Sequence, residues 1–112
     1  SAKRDFIYAE DFTNSLIKLT NSYNSTKPLN ICTGQQYSIK SISNSLKKIS
    51  GFRGKIFWNT KMPSGAKSRK FSTINLKKYL GNDFKNFKNV DMGLELSYKW
   101  LKENYNKNST RL

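Results

Sequence analysis

The chain has 112 residues, of which 36% are hydrophobic and 13% aromatic. This length allows one small core in one domain and excludes two. No apolar run is long enough to span a bilayer, so we expect no membrane partner. One cysteine and no histidine predict no disulfide framework and no transition-metal site, and they suit a reducing, cytoplasmic setting.

The charge is strongly positive, with 21 Lys and Arg against 7 Asp and Glu and a net charge of +14. Such a balance predicts attraction to anions, and it permits nucleic acid, a nucleotide or an anionic lipid surface. The excess of Lys and Asn can also reflect a compositional bias of the source organism, which implies no partner. The charge alone therefore leaves the partner open.

The first predicted helix covers residues 10–23. Phe12, Leu16, Leu19 and Tyr23 follow one another at spacings of four, three and four, which places them on one helical face. Glu10 and Asp11 at the start of this segment are placed to interact favourably with the positive end of the helix dipole.

The middle of the chain alternates apolar runs with cap signals. Residues 29–32 predict a short strand, and Ser38 is a predicted N-cap for a helix over residues 39–50. Gly51 is placed to stop that helix. Residues 55–59 then predict a second strand.

The last third predicts two more helices, a short one over residues 73–81 and a longer one over 91–105, capped by Asn89 or Asp91. Residues 106–112 have the composition of a polar tail. The sum is a small α+β fold with three or four helices and two or three short strands.

A basic turn separates the second predicted strand from the third helix. Pro63, Ser64 and Gly65 are followed closely by Lys67 and then by an Arg-Lys pair. A tight turn rich in backbone N–H groups and cations can cradle an anion. The same pattern is also typical of a solvated loop in a basic protein.

Taken in order, these motifs resemble the C-terminal part of the extended short-chain dehydrogenase/reductases that act on nucleotide sugars, the NAD-dependent epimerase/dehydratase family. The order is strand, Thr-Gly, capped helix, Gly-Phe-x-Gly, strand, Lys-x-Pro-x-Gly, Arg-Lys, short helix, Leu-Gly and helix. The matching stretches are residues 4–11, 29–56, 61–65, 69–81 and 93–105.

The resemblance implies that residues 1–105 form the nucleotide-sugar-binding domain of an epimerase/reductase, with a GDP-linked sugar favoured. For the complete enzyme it implies NADPH-dependent 3,5-epimerisation and 4-keto reduction, and it permits a homodimer. The NADP would bind a Rossmann domain of the same or a companion chain, and the substrate would lie between the two domains.

No G-x-G-x-x-G occurs in this sequence, and in the family the catalytic Ser and Tyr-x-x-x-Lys set belongs to the Rossmann domain. We therefore expect this chain to bind no cofactor, to contain no catalytic residue and to be inactive alone. Tyr-x-x-x-Lys does occur at Tyr23/Lys27 and Tyr98/Lys102, at about the frequency that chance gives in so basic a chain.

The substrate-binding residues are carried over by position. The resemblance places Arg4 on the diphosphate and Lys70 beside the nucleotide, while Arg69 either shares this phosphate field or points outward. Ser64 and Gly65 would offer backbone N–H groups. Where the family usually has Asp between Pro and Gly, this chain has Ser64, and the turn carries one extra residue, which leaves the base specificity open.

Two alternatives remain. One is another nucleotide-sugar epimerase or dehydratase with a different base or sugar. The other is a small basic nucleic-acid-binding module, in which Lys-rich helices interleaved with Phe and Tyr neutralise phosphates and stack on bases. Against the second, the cations are scattered along every element and no nucleic-acid motif is present.

Three further residues are predicted to be structural. Cys32 ends an apolar run, where a thiol acts as a small hydrophobe. Trp58 and Trp100 are predicted to belong to the core rather than to a stacking surface.

Overall fold

Five helices and one two-stranded ladder make up the regular structure of residues 2–63 and 65–105, which are the residues that the computed structural model describes. In chain order they are β1 (Lys3–Arg4), α1 (Ala9–Ser22), β2 (Tyr37–Ser38), α2 (Ile39–Ser50), α3 (Ile74–Leu80), α4 (Asn82–Lys85) and α5 (Val90–Asn104). The predicted α+β class is confirmed. The predicted polar tail, residues 106–112, lies outside the described residues.

The helix ends follow the predicted cap chemistry. Ser38 caps α2, its hydroxyl accepting from the N–H of Ser41 at 3.0 Å. Gly51 ends this helix with φ of 68°, in the left-handed region that glycine adopts at low cost. Of the two candidates for α5, Asn89 is the cap, since its Oδ1 accepts from the N–H of Met92 at 2.9 Å.

The predicted strand positions are wrong. Within the described ranges, residues 29–32 and 55–59 belong to no strand, and the observed ladder pairs β1 with β2 in antiparallel register. Lys3 lies opposite Ser38 and Arg4 opposite Tyr37. An apolar run becomes a strand only where a partner strand satisfies its backbone, and no such partner lies beside either run in the described part of the chain.

The core lies between α1 and α3. Leu76 and Leu80 are 0% and 1% exposed, and they pack with Leu19 of α1. Around this cluster lie half-buried apolar side chains from α3 and α4, the segment before β2 and the loop before α5, namely Tyr23, Leu29, Ile31, Tyr79, Phe84 and Phe87. The predicted stripe of α1 is therefore buried only at its C-terminal end, because Phe12 and Leu16 are exposed.

Both tryptophans lie outside the core, contrary to prediction. Trp58 is 46% and Trp100 59% exposed, and Phe57 beside the first is 87% exposed. Trp58 lies in the segment that was predicted as a strand, and Trp100 lies on α5, whose described packing is chiefly against α2. Each indole thus has only part of its surface covered.

Among the described residues, no helix combines the length and apolar composition that a membrane crossing requires. The same residues contain no group of three or more His, Cys, Asp or Glu side chains that could hold a metal ion.

Candidate functional site

The β1–β2 ladder positions Arg4 beside the basic turn. Arg4 is half-buried, and its Nη1 donates to the carbonyl of Lys3 at 2.7 Å and to the carbonyl of Ala66 at 2.9 Å. These two bonds occupy both N–H groups of Nη1. Nε and Nη2 have three donors with no partner among the described residues, in the planar fork that suits phosphate oxygens.

The backbone of the turn is tied to the same strand. The N–H of Lys3 donates to the carbonyl of Lys67 at 2.9 Å, and Lys3 also forms a parallel bridge with Ser68. The Ser68 hydroxyl donates to Gln36 Oε1 at 2.9 Å. The residues that the sequence places far apart are therefore neighbours: Arg4 and the basic turn form one cluster, which we call the Arg4 cradle (Arg4 with residues 65–70).

The structure describes three of the four predicted site residues of the turn, Gly65, Arg69 and Lys70. Gly65 has φ of 64°, which favours glycine at this position. Arg69 and Lys70 are exposed, and neither is in an ion pair within the described residues. Ser64 lies outside the described residues. The cradle thus combines one guanidinium fixed by hydrogen bonds with three exposed cations, Lys67, Arg69 and Lys70.

Asp5, which follows Arg4, is a residue that the sequence reasoning missed. Its carboxylate accepts from the N–H and hydroxyl of Thr33 at 3.0 and 2.7 Å and from the N–H of Gly34 at 2.7 Å. The signal that could have found it was the Thr-Gly pair, since such a pair offers adjacent N–H groups to an acceptor. Asp5 anchors the backbone one residue after Arg4. It thereby fixes the position from which the Arg4 side chain extends.

A second tie holds the loop before α5. Asp11 is 7% exposed, and its carboxylate accepts from the backbone N–H of Lys88 at 2.8 Å and pairs with Lys88 Nζ at 3.3 Å. Its position in the first turn of α1 also suits the helix dipole. This contact joins residues 77 positions apart, which periodicity alone could not predict.

A groove of about 710 Å³ borders the ladder on the side of Tyr37, which pairs with Arg4. None of Arg4, Gly65, Arg69 and Lys70 lines it. Its walls come from the segment after β1, the segment before α2 and the stretch from α3 to α5, and they include Phe6, Tyr37, Lys77, Phe84, Lys85 and Phe87. Sequence reasoning missed it because these residues are scattered over most of the chain.

The cysteine is suited to packing and poorly suited to nucleophilic chemistry. Cys32 is 4% exposed, as predicted for a small hydrophobe. Burial raises the pKa of the Cys32 thiol, and the nearby Asp5 carboxylate raises it further, against a smaller lowering by the Gly34 backbone. The thiolate, which is the reactive form, is thereby disfavoured.

Comparison with known proteins supports the predicted resemblance. A probable GDP-L-fucose synthase 1 of Oryza sativa subsp. japonica is 26% identical over 104 residues, covering 93% of this chain and 31% of that protein. A GDP-L-fucose synthase of Sinorhizobium fredii is 29% identical over 96 residues, covering 86% and 30%. No family model matches, and no solved structure gives a significant match.

A probable GDP-L-fucose synthase of Drosophila melanogaster is also similar, with 25% identity over 91% of this chain and 32% of that protein. The chain therefore spans about a third of the length of the relatives it matches. The relatives that match most of this chain are all named as GDP-L-fucose synthases, and the match covers only part of each. The similarity is consistent with the predicted resemblance to the C-terminal part of enzymes that act on a GDP-linked sugar.

Proposed function

We propose that the chain binds the diphosphate of a nucleotide sugar, with a GDP-sugar favoured, as the C-terminal substrate-binding part of an epimerase/reductase similar to GDP-L-fucose synthase. The observation that carries this proposal is the hydrogen bond from Arg4 Nη1 to the Ala66 carbonyl. It joins Arg4, which is predicted to bind the diphosphate, to the basic turn, which is predicted to cradle an anion. Arg4 and Ala66 are 62 positions apart in the sequence.

The chemistry of the cradle supports a diphosphate. A guanidinium can make two parallel charge-assisted hydrogen bonds to phosphate oxygens, and the three N–H groups of Arg4 on Nε and Nη2, unpartnered within the described residues, allow this. Lys70 and Arg69 would add positive charge from the loop, where both side chains are exposed. The backbone N–H groups at Ser64 and Gly65 would complete the cradle.

The cofactor is proposed to bind elsewhere. The glycine-rich turn that holds a dinucleotide phosphate is not present in this sequence. The residues of this chain therefore do not fit NADP, and no step of the reaction is assigned to this chain. Epimerisation and 4-keto reduction would require a Rossmann domain of the same or a companion chain. The proposed role of this chain is binding without turnover, in a cytoplasmic enzyme that can be a homodimer.

The test is a titration of the 112-residue chain with GDP, followed by amide NMR shifts. We expect a dissociation constant of about 1 mM or weaker, because a large part of the cleft is absent. Arg4→Ala and Lys70→Ala should each weaken binding by about tenfold to hundredfold, since one charge-assisted contact contributes about 1.5–3 kcal/mol.

The matched control is Lys40→Ala, which removes one charge from an exposed position on α2. It is a better control than Lys47, whose Nζ donates to the Gly54 carbonyl at 2.8 Å. Equal weakening by all three substitutions would show a diffuse electrostatic effect and overturn the assignment of the cradle.

A further inference from the structure

Four aromatic side chains line the groove of about 710 Å³. Phe84 and Phe87 stand with ring centroids 5.0 Å apart and planes tilted by 42°. Phe6 and Tyr37 belong to distant segments and line the same space. Phe6, Phe84, Phe87 and Tyr37 are all half-buried, so each still presents ring surface. Such walls favour a flat ring, because aromatic faces stack on one another.

The charge that lines this groove has one sign. Lys77, Lys85 and Lys88 line it, and among its described lining residues there is no Asp or Glu. Lys88 is already paired with Asp11, whereas neither Lys77 nor Lys85 is in an ion pair within the described part of the chain. Lys77 Nζ lies 5.0 Å from the centre of the Phe84 ring. A cation is therefore held directly against an aromatic wall.

We propose that this groove is a second ligand site and binds a nucleoside monophosphate. The base would stack against the phenylalanine rings, and the phosphate would lie between Lys77 and Lys85. The volume of about 710 Å³ falls within the range of about 300–1,000 Å³ that small-molecule sites occupy. The site goes beyond the diphosphate binding proposed for the Arg4 cradle, because no residue of that cradle lines it.

The first test uses adenosine 5′-monophosphate as the probe and the 112-residue chain as the protein. Amide shifts should concentrate in residues 81–90, and the base protons should move upfield through the ring currents of Phe84 and Phe87. Adenosine and inorganic phosphate should each bind at least tenfold more weakly, since each supplies half of the contact. Equal binding of inorganic phosphate and the monophosphate would overturn the role of the rings.

The second test compares the groove lysines of α3 and α4 with a neighbouring lysine on α3. Lys77→Gln and Lys85→Gln should each weaken binding of the monophosphate by about threefold to tenfold, as expected for the loss of a charge-assisted hydrogen bond partly exposed to water. Lys78→Gln is the matched control, since Lys78 follows Lys77 on α3, is exposed and does not line the groove. Equal losses from all three variants would overturn the site.

Two further measurements distinguish this site from the Arg4 cradle and from a nucleic-acid surface. Arg4→Ala should leave adenosine monophosphate binding unchanged, whereas it should weaken GDP binding at the cradle, so either proposal can fail without the other. A single strand of six nucleotides that binds at least tenfold more tightly than the monophosphate would show that the surface takes nucleic acid. That result would overturn the proposal of a mononucleotide site.

Discussion

Two regions of this chain each carry several apolar side chains but are packed very differently. Between α1 and α3, Leu76 and Leu80 are almost completely buried. In the segment 52–63, by contrast, Phe57 and Met62 are 87% and 66% exposed. The difference shows that apolar composition does not by itself make a core in a small domain. A side chain becomes buried where helical periodicity presents it to another element.

The largest effect expected from this comparison is that of Leu76→Ala. Removing a completely buried leucine leaves a cavity, and we expect the free energy of unfolding to fall by about 2–5 kcal/mol. Phe57→Ala removes a larger side chain from the exposed segment and should change stability by less than about 0.5 kcal/mol. Urea denaturation measures both. Comparable losses would mean that the segment 52–63 is packed in solution.

A smaller effect is expected at the tie between α1 and the loop before α5. Asp11→Ala removes the acceptor of the Lys88 N–H and leaves the partner groups unsatisfied, which should cost about 1–3 kcal/mol of unfolding free energy. Glu10→Ala removes an exposed carboxylate from the same first turn of α1, and it should cost less than about 0.5 kcal/mol. If both variants lose the same amount, the helix dipole accounts for the effect and the tie contributes nothing.

The smallest effect concerns pH and the buried thiol of Cys32, which contrasts with the exposed side chains of segment 52–63. The pKa of this thiol is raised in the folded chain, so the unfolded chain loses its thiol proton first as the pH rises. The contribution of this thiol to stability is therefore complete below the pKa of the unfolded thiol and is lost as the pH rises through the folded value. Cys32→Ala should show a smaller alkaline loss of stability than the parent chain.

The reactivity of the thiol gives a second readout. Alkylation by iodoacetamide should reach half its limiting rate at a higher pH in the folded chain than in urea-unfolded chain, because the thiolate forms later. The opposite order would contradict the burial of Cys32.

The longer helices are the part of the fold that the sequence predicted well. Periodicity and cap residues located α1, α2, α3 and α5, because each of these signals acts within a few residues along the chain. The one-turn helix α4 was not predicted, since four residues are too short to show a period. The two predicted strands failed for another reason, because pairing depends on a partner that a local pattern does not contain.

The candidate sites also differ in how far the sequence predicted them. The resemblance suggested Arg4 and the basic turn together, and the structure adds the hydrogen bonds that hold them in contact. The groove and the Asp11–Lys88 tie were not predicted, because they bring together side chains from distant segments. No single stretch of sequence contains enough of either to form a motif.

The ladder between β1 and β2 has a consequence for the dynamics of the cradle. Each of its strands has two residues, of which Lys3 is exposed and Arg4 is half-buried. The ladder should therefore open at much lower free energy than the α1–α3 core. Where this opening also breaks the bond from the Lys3 N–H to the Lys67 carbonyl, Arg4 leaves the turn, and the population able to hold a diphosphate falls in proportion. Amide exchange at Lys3 should therefore slow when GDP is present, while exchange at Leu76 stays the same. The affinity of the cradle would then depend partly on how often a two-residue ladder is closed.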